Sequence, residues 1–176
     1  HGDALADHRI GKVWCRGTSL MHSYYRDPEA TSECMLDGWL DTGDMGYLVD
    51  GHLFIVGRAK DMIIINGKNH WPQDIEWAVE QLPGFHQGDI AAFALETGDG
   101  EEVPAVLVHC RISDHDERKK LHGEIREKVR SITGMNCVVE LVPPRTLPRT
   151  SSGKLSRAKA KKLYLEGEIE PLQMAA

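Results

Sequence analysis

No apolar stretch in the 176 residues approaches the roughly 20 needed to cross a bilayer. The first residues show neither a basic n-region nor an apolar h-region. The expectation is a cytoplasmic chain with no membrane span. Cysteine is sparse: Cys15, Cys34, Cys110 and Cys137 stand far apart with no Cys-x-x-Cys pair, which points away from a zinc ribbon and from a disulfide framework and toward a reducing compartment. The nine histidines show no His-Glu-x-x-His or comparable spacing, so no protein-bound metal is expected. A P-loop is also missing, because Gly153-Lys154 is followed by Leu155 and lacks the upstream glycine of Gly-x-x-x-x-Gly-Lys-Ser/Thr. Aromatics make up only 6% and form no stacking motif in the candidate strands, and the formal charge is -6; both argue against nucleic acid as partner.

What is present is an ordinary globular composition, 41% hydrophobic and 27% charged, with room for one domain and a piece of another. The acidic balance reverses locally, for Arg145 to Lys162 holds seven basic residues and no acidic one. That run reads either as a solvated face or as a surface for a polyanionic ligand.

Lys12 to Arg16 reads as a strand followed by a polar connection rich in Ser, Tyr, Asp and Pro. Asp50-Gly51 separates two apolar runs as a type I′ hairpin turn would, and Asn66-Gly67 repeats the signal after Met62 to Ile65. Pro72 suits a first helical position, and Ile75, Val79 and Leu82 recur at helical spacing until Pro83-Gly84. Asp89 to Leu95 and Val103 to Ile112 form β-rich runs joined by Thr97 to Gly100, an expected antiparallel pair. Ser113-x-x-Asp116 resembles a capping box, and Leu121, Ile125, Val129 and Ile132 mark one face of a helix ending near Gly134. Cys137 to Val142 is read as a third strand, and Arg157 to Glu166 as a last helix after a loop that Pro143-Pro144 stiffens.

The predicted fold class is therefore α+β. Residues 62–176 form a small three-stranded sheet with flanking helices and a β-hairpin. Residues 1–57 offer hairpin strands that bury too little to stand alone, and are expected to be the β-rich end of a larger amino-terminal domain whose other strands lie upstream. Residues 58–61 join the two.

Three clusters carry chemistry. Trp39-Leu-Asp-Thr-Gly-Asp-Met-Gly46 is followed by Gly57-Arg-Ala-Lys-Asp-Met-Ile-Ile64, and far downstream lies Pro148-Arg-Thr-Ser-Ser-Gly-Lys154. Alone, Thr42-Gly-Asp44 reads as a turn with a backbone-bonding Asp, Arg58 as a surface ion pair, and Lys154 as a solvated lysine in a basic tail. In this order they resemble, over essentially the whole chain, the carboxy-terminal third of the adenylate-forming superfamily of acyl-CoA synthetases, peptide-synthetase adenylation domains and luciferases. Asn66-Gly-Lys-Asn-His-Trp-Pro-Gln-Asp-Ile-Glu76 is most similar to the fatty acyl-AMP ligases.

The resemblance implies a ligase that activates a fatty acid with ATP and Mg2+ to acyl-AMP, releases pyrophosphate and passes the acyl group to an acyl carrier protein. Coenzyme A, as in long-chain fatty acid–CoA ligases, is the alternative acceptor. It implies that Asp44 and Arg58 face the nucleotide ribose, that Lys60 is the hinge, that Lys154 is catalytic in adenylation, and that Asn66 and Gly67 belong to the thiol-acceptor face. Such chemistry suits the residue types: a carboxylate accepts hydroxyl protons, a fixed guanidinium meets ribose or phosphate oxygens, and an ammonium on a flexible stem follows moving negative charge. His70, beside Trp71, either shapes the acceptor side or is a structural turn residue. Mg2+ and most of the ATP contacts belong to the absent amino-terminal domain, so the chain by itself is expected to be inactive. A reading of another class is a non-catalytic module that docks a carrier protein through the basic run.

Overall fold

The computed structural model describes residues 4–65, 67–96, 98, 100 and 102–173. The chain divides into two compact units, His1–Lys60 and Asp61–Ala176.

In the first unit a long strand, β3 (Trp39–Val49), pairs antiparallel with β1 (Gly11–Cys15), β2 (Met35–Leu36) and β4 (His52–Arg58). Asp50 and Gly51 both take positive φ, 49° and 77°, as a type I′ turn requires, and the following register sets Tyr47 opposite Phe54 with their rings stacked at 5.4 Å. The polar connection after β1 is not all coil. It contains a helix, α1 (Pro28–Cys34), whose N-cap Asp27 accepts from the Ala30 N–H at 2.9 Å. Asp-Pro-Glu was the legible signal: a capping carboxylate, proline at the first helical position and an acid in the first turn. Among the described residues of this unit only Gly46 and Gly57 are buried, while Leu48, Leu53, Phe54 and Ile55 are 41–54% exposed.

The second unit begins with a hairpin, β5 (Ile63–Ile65) and β6 (Lys68–His70), followed by α2 (Pro72–Glu80). A three-stranded sheet follows in the order β7 (Ile90–Glu96), β8 (Glu102–His109), β9 (Val138–Val142). β7 and β8 are antiparallel; Thr97 and Asp99 of their predicted connection lie outside the described residues. β8 and β9 are parallel, so α3 (His115–Thr133) makes the crossover that a parallel pair needs. Alternation along β7 and β8 sorts the core onto two faces. Ile90, Ala92, Val106 and Val108 pack with the hairpin isoleucines, Ile75 and Val79 of α2, and Ile125 and Val129 of α3. Ala91, Phe93, Ala105 and Leu107 face the other way, toward Leu147 and Ala160 of α4 (Arg157–Leu165). The sheet is thus buried on both sides, as a small α+β layer structure requires.

The cap of α3 differs by one residue from the sequence expectation. Asp114, not Ser113, is the N-cap and accepts from the Glu117 N–H at 2.9 Å. A carboxylate there both satisfies an orphan N–H and meets the positive end of the helix. Gly134 closes the helix at φ 74°, in the left-handed conformation a glycine takes most cheaply.

Candidate functional site

In the first unit the Thr42-Gly-Asp44 segment is a bulge in β3. Lys12 lies opposite Met45 but Trp14 lies opposite Asp41, so β3 holds the extra residues against β1. The bulge is fastened from within. The Thr42 hydroxyl donates to the Val13 carbonyl at 2.8 Å, the Gly43 N–H donates to Asp41 at 2.9 Å, and the Asp44 N–H donates to the Thr42 hydroxyl at 3.1 Å. Gly43 supplies the positive φ of 72°. Across the hairpin Asp44 is in register with Arg58, whose Nε donates to Asp44 Oδ1 at 3.1 Å. Two residues selected from separate sequence clusters are therefore cross-strand neighbours. Asp44 is about one-third exposed, and Arg58 about half, so both ends of the pair reach solvent. The second oxygen of Asp44 has no partner among the described residues, an arrangement that suits hydroxyl donors from a ligand.

Gly46 makes that register possible. A Cβ on it would lie 2.7 Å from the Phe54 carbonyl oxygen and 3.1 Å from Val13 Cγ2. Lys60 sits in a 3-10 turn, Ala59–Asp61, and the division between the units falls directly after it.

In the second unit Lys154 ends a short turn. Arg149 and Leu155 form an antiparallel bridge, the Thr150 N–H donates to the Lys154 carbonyl at 2.7 Å, and the Gly153 N–H donates to the Thr150 carbonyl at 2.9 Å. The Lys154 N–H adds a bond to the Thr150 hydroxyl at 3.1 Å, and Gly153 takes φ 81°. Lys154 is exposed, and among the described residues its ammonium has no partner. Of the proposed acceptor face, Gly67 turns the β5–β6 hairpin at φ 71°, whereas Asn66 lies outside the described residues. His70 closes that hairpin opposite Ile63 and is half-buried.

Sequence reasoning missed the groups that hold this lysine turn in place. Downstream of it, Arg157 at the start of α4 donates to Glu76 of α2 and reaches Asp61 at 3.5 Å. Glu76 also accepts from the Ala92 N–H at 3.0 Å. Burial pushes the Glu76 carboxyl upward while Arg157 and Ala92 pull it back, and the same contact with Glu76 holds Arg157 in its charged form. Upstream, the buried His109 accepts at Nε2 from the Leu147 N–H at 3.1 Å, which leaves Nδ1 to donate to Asp89 at 3.3 Å. Asp89 is also gripped by Arg111 at 2.8 and 3.2 Å and by the His86 N–H at 3.1 Å. Burial opposes the Asp89 charge, but these donors outweigh it and hold its pKa down to about 2. Burial lowers the His109 pKa despite Asp89 beside it, so the ring is neutral and structural. Asp89, His109, Arg111, Arg145, Leu147 and Arg149 line an open cavity of roughly 800 Å³; Arg145 and Arg149 belong to the basic run read from the sequence, whereas Lys154 is not among the lining residues.

The basic run from Arg145 to Lys162 is not one solvated face, since Arg157 is mostly buried against carboxylates and Arg149 is tied to main-chain carbonyls. Among the described residues no group of three His, Cys, Asp or Glu could hold a metal ion, and no helix is long and apolar enough to cross a membrane.

No protein-family profile matches the chain. It is 45% identical over 168 residues to a Caulobacter vibrioides protein carrying the provisional name acyl-CoA synthetase, covering 94% of this chain and 29% of that protein. Its structure matches a solved fatty acyl-adenylate ligase from the study of the E. coli and L. pneumophila enzymes at TM-score 0.83 and 43% identity, over 95% of this chain and 29% of that one. McyG A-PCP complexed with phenylalanyl-adenylate matches at TM-score 0.83 and 31% identity, over 94% and 30%. The chain spans about 29% of the length of the curated relatives it matches.

Proposed function

Because this chain belongs to the adenylate-forming superfamily, among acyl-CoA synthetases and fatty-acid ligases, we propose that its second unit is the mobile carboxy-terminal lid of a fatty acyl-AMP ligase. In the intact enzyme Lys154 serves the adenylation half-reaction. The observation that supports this most directly is the Lys154 turn: an exposed ammonium with no partner among the described residues, carried on a turn closed by its own hydrogen bonds. A cation with no counter-charge is available to meet the substrate carboxylate and α-phosphate as negative charge develops there. Asp44 and Arg58 suit the ribose of ATP: the carboxylate keeps one oxygen open, and the guanidinium that holds the other fixes its direction. Mg2+ would arrive with the phosphates, and no donor cluster for it exists among the described residues.

Lys60 marks the hinge, since a change of φ/ψ there would turn everything from Asp61 onward. Turning the lid would exchange the Lys154 turn for the β5–β6 hairpin, with Asn66 and Gly67, beside the incoming thiol. An acyl carrier protein is the proposed acceptor, on the likeness of the Asn66 to Glu76 segment to fatty acyl-AMP ligases; coenzyme A is the second reading, favoured by the name of the Caulobacter vibrioides relative. Residues 1–57 would complete the sheet of a large amino-terminal domain, which fits the lack of buried apolar side chains among their described residues.

The test is to supply a full-length ligase carrying this segment with labelled fatty acids, ATP and both acceptors, and to follow products by mass spectrometry. Acyl-AMP and acyl-carrier protein are expected. Absence of acyl-AMP with every acid would contradict the ligase reading, and acyl-CoA alone would transfer the conclusion to coenzyme A. The 176-residue chain itself is expected to catalyse no acid-dependent pyrophosphate exchange.

A further inference from the structure

Arg149 lies five residues before Lys154, and its guanidinium bridges two carbonyls that are far apart in sequence. Nη1 donates to Gly153 at 3.0 Å, next to Lys154, and Nη2 donates to Gly88 at 3.2 Å, on the connection between α2 and β7. The lysine turn itself buries nothing, for Thr150, Ser151, Ser152, Gly153 and Lys154 are all exposed. Its internal hydrogen bonds fix its shape but not its direction. The direction is set where the turn meets the body of the unit, and Arg149 is the side chain that spans that junction.

The seat for the guanidinium is built. A Cβ on Gly88 would lie 2.9 Å from Arg149 Nη2, 3.2 Å from Nη1 and 3.4 Å from Cζ, so the arginine lies over the bare Cα. Gly88 takes φ 83°, which few other residues adopt, and its N–H is fixed by Glu80 Oε1 at 2.9 Å. The next residue is Asp89, held by Arg111, His109 and the His86 N–H. The carbonyl that receives Arg149 therefore belongs to a rigid corner rather than to a free loop. A planar fork can donate to two carbonyls at once, which the point charge of a lysine cannot do in the same geometry.

We propose that Arg149 is a positioning residue for Lys154, aiming the lysine turn by bridging Gly153 to the Gly88 corner. The role rests on the adenylation reading of Lys154 given above. Misplacing a catalytic group by about 1 Å can cost on the order of a hundredfold in rate.

The test compares Lys154→Ala, Arg149→Ala, Arg149→Lys and Gly88→Asn in the full-length enzyme, with backbone hydrogen exchange on the 176-residue chain beside it. Asparagine tolerates the left-handed backbone of Gly88, yet its Cβ displaces the guanidinium without removing the charge. Arg149→Ala and Gly88→Asn are both expected to lower kcat for adenylation about ten- to a hundredfold with little change in KM. Transfer from pre-formed acyl-AMP should be spared, and Arg149→Lys should not rescue. Exchange at the Gly153 and Lys154 amides should quicken while the β7 and β8 amides stay protected. Arg149→Ala with unchanged exchange in the turn, or with adenylation within twofold of the parent while Lys154→Ala is crippled, overturns the positioning role and leaves the role of Lys154 standing. Lys154→Ala with full adenylation overturns both.

Discussion

Arg157 donates through Nε and Nη2 to the two carboxylate oxygens of Glu76, at 2.7 and 2.6 Å, across 81 residues of sequence. Asp61 approaches the same guanidinium, so one arginine three residues after Lys154 fastens the start of α4 both to α2 and to the first residue of the second unit. Removing Arg157 alone would strand a buried carboxylate. Arg157→Ala is expected to destabilise the second unit by about 3–5 kcal/mol, and Glu76→Gln in the same chain to restore part of it. Urea unfolding of the two variants and the double variant checks this; a loss below about 1 kcal/mol for Arg157→Ala would contradict a structural role for the pair.

Acid should loosen the second unit in two stages. His109 has a pKa lowered from its ordinary 6.5, so the unfolded chain takes up its proton first, and the contribution of neutral His109 is lost as pH falls below that value. Protonation also turns the acceptor of the Leu147 N–H into a donor. Asp89, held at about 2 against an ordinary 3.8, contributes stability above 3.8 that is lost as pH falls through that range toward 2, on the order of 2 kcal/mol in full. Denaturant midpoints measured from pH 7.5 to pH 3 should fall in the parent and fall less below pH 5 in Asp89→Asn. A flat or rising parent profile would contradict the assignment.

Gly46→Ala should disturb the strand pairing that brings Asp44 and Arg58 together, because the added carbon meets the Phe54 carbonyl, a backbone atom that cannot rotate away. A cost of about 1–3 kcal/mol is expected, of the size seen for overpacking. It would be read as faster hydrogen exchange in the β3 and β4 amides with the three-stranded sheet of the second unit unchanged. Unaltered exchange in β3 and β4 would show that the bulge tolerates a side chain.

Local signals carried much of the fold into the sequence. Ile125 and Val129 face the core as their spacing required, Ile75 and Val79 do so in α2, and Asp50-Gly51 makes its turn. The helix Pro28–Cys34 was missed although Asp27-Pro28-Glu29 announced it, because a seven-residue helix with no buried residue leaves no apolar period to find. The candidate site divides in the same way. Asp44, Arg58, Arg149 and Lys154 stand in short recognisable clusters, whereas the partners that hold the lysine turn in place do not. Arg157 finds Glu76, Arg149 finds Gly88 and His109 finds Asp89 only through tertiary packing, at separations of 81, 61 and 20 residues. No local pattern encodes such partners; a buried carboxylate beside Ile75 was the one hint, since an acid in a core position needs a cation.

If Lys154 acts in acyl-adenylate formation, the two half-reactions of Lys154→Ala in the full-length enzyme should separate. Pyrophosphate exchange driven by fatty acid should fall about a hundred- to a thousandfold, while transfer of the acyl group from supplied acyl-AMP to the thiol stays near the parent rate. Equal loss in both half-reactions, or no loss in the first, would contradict it.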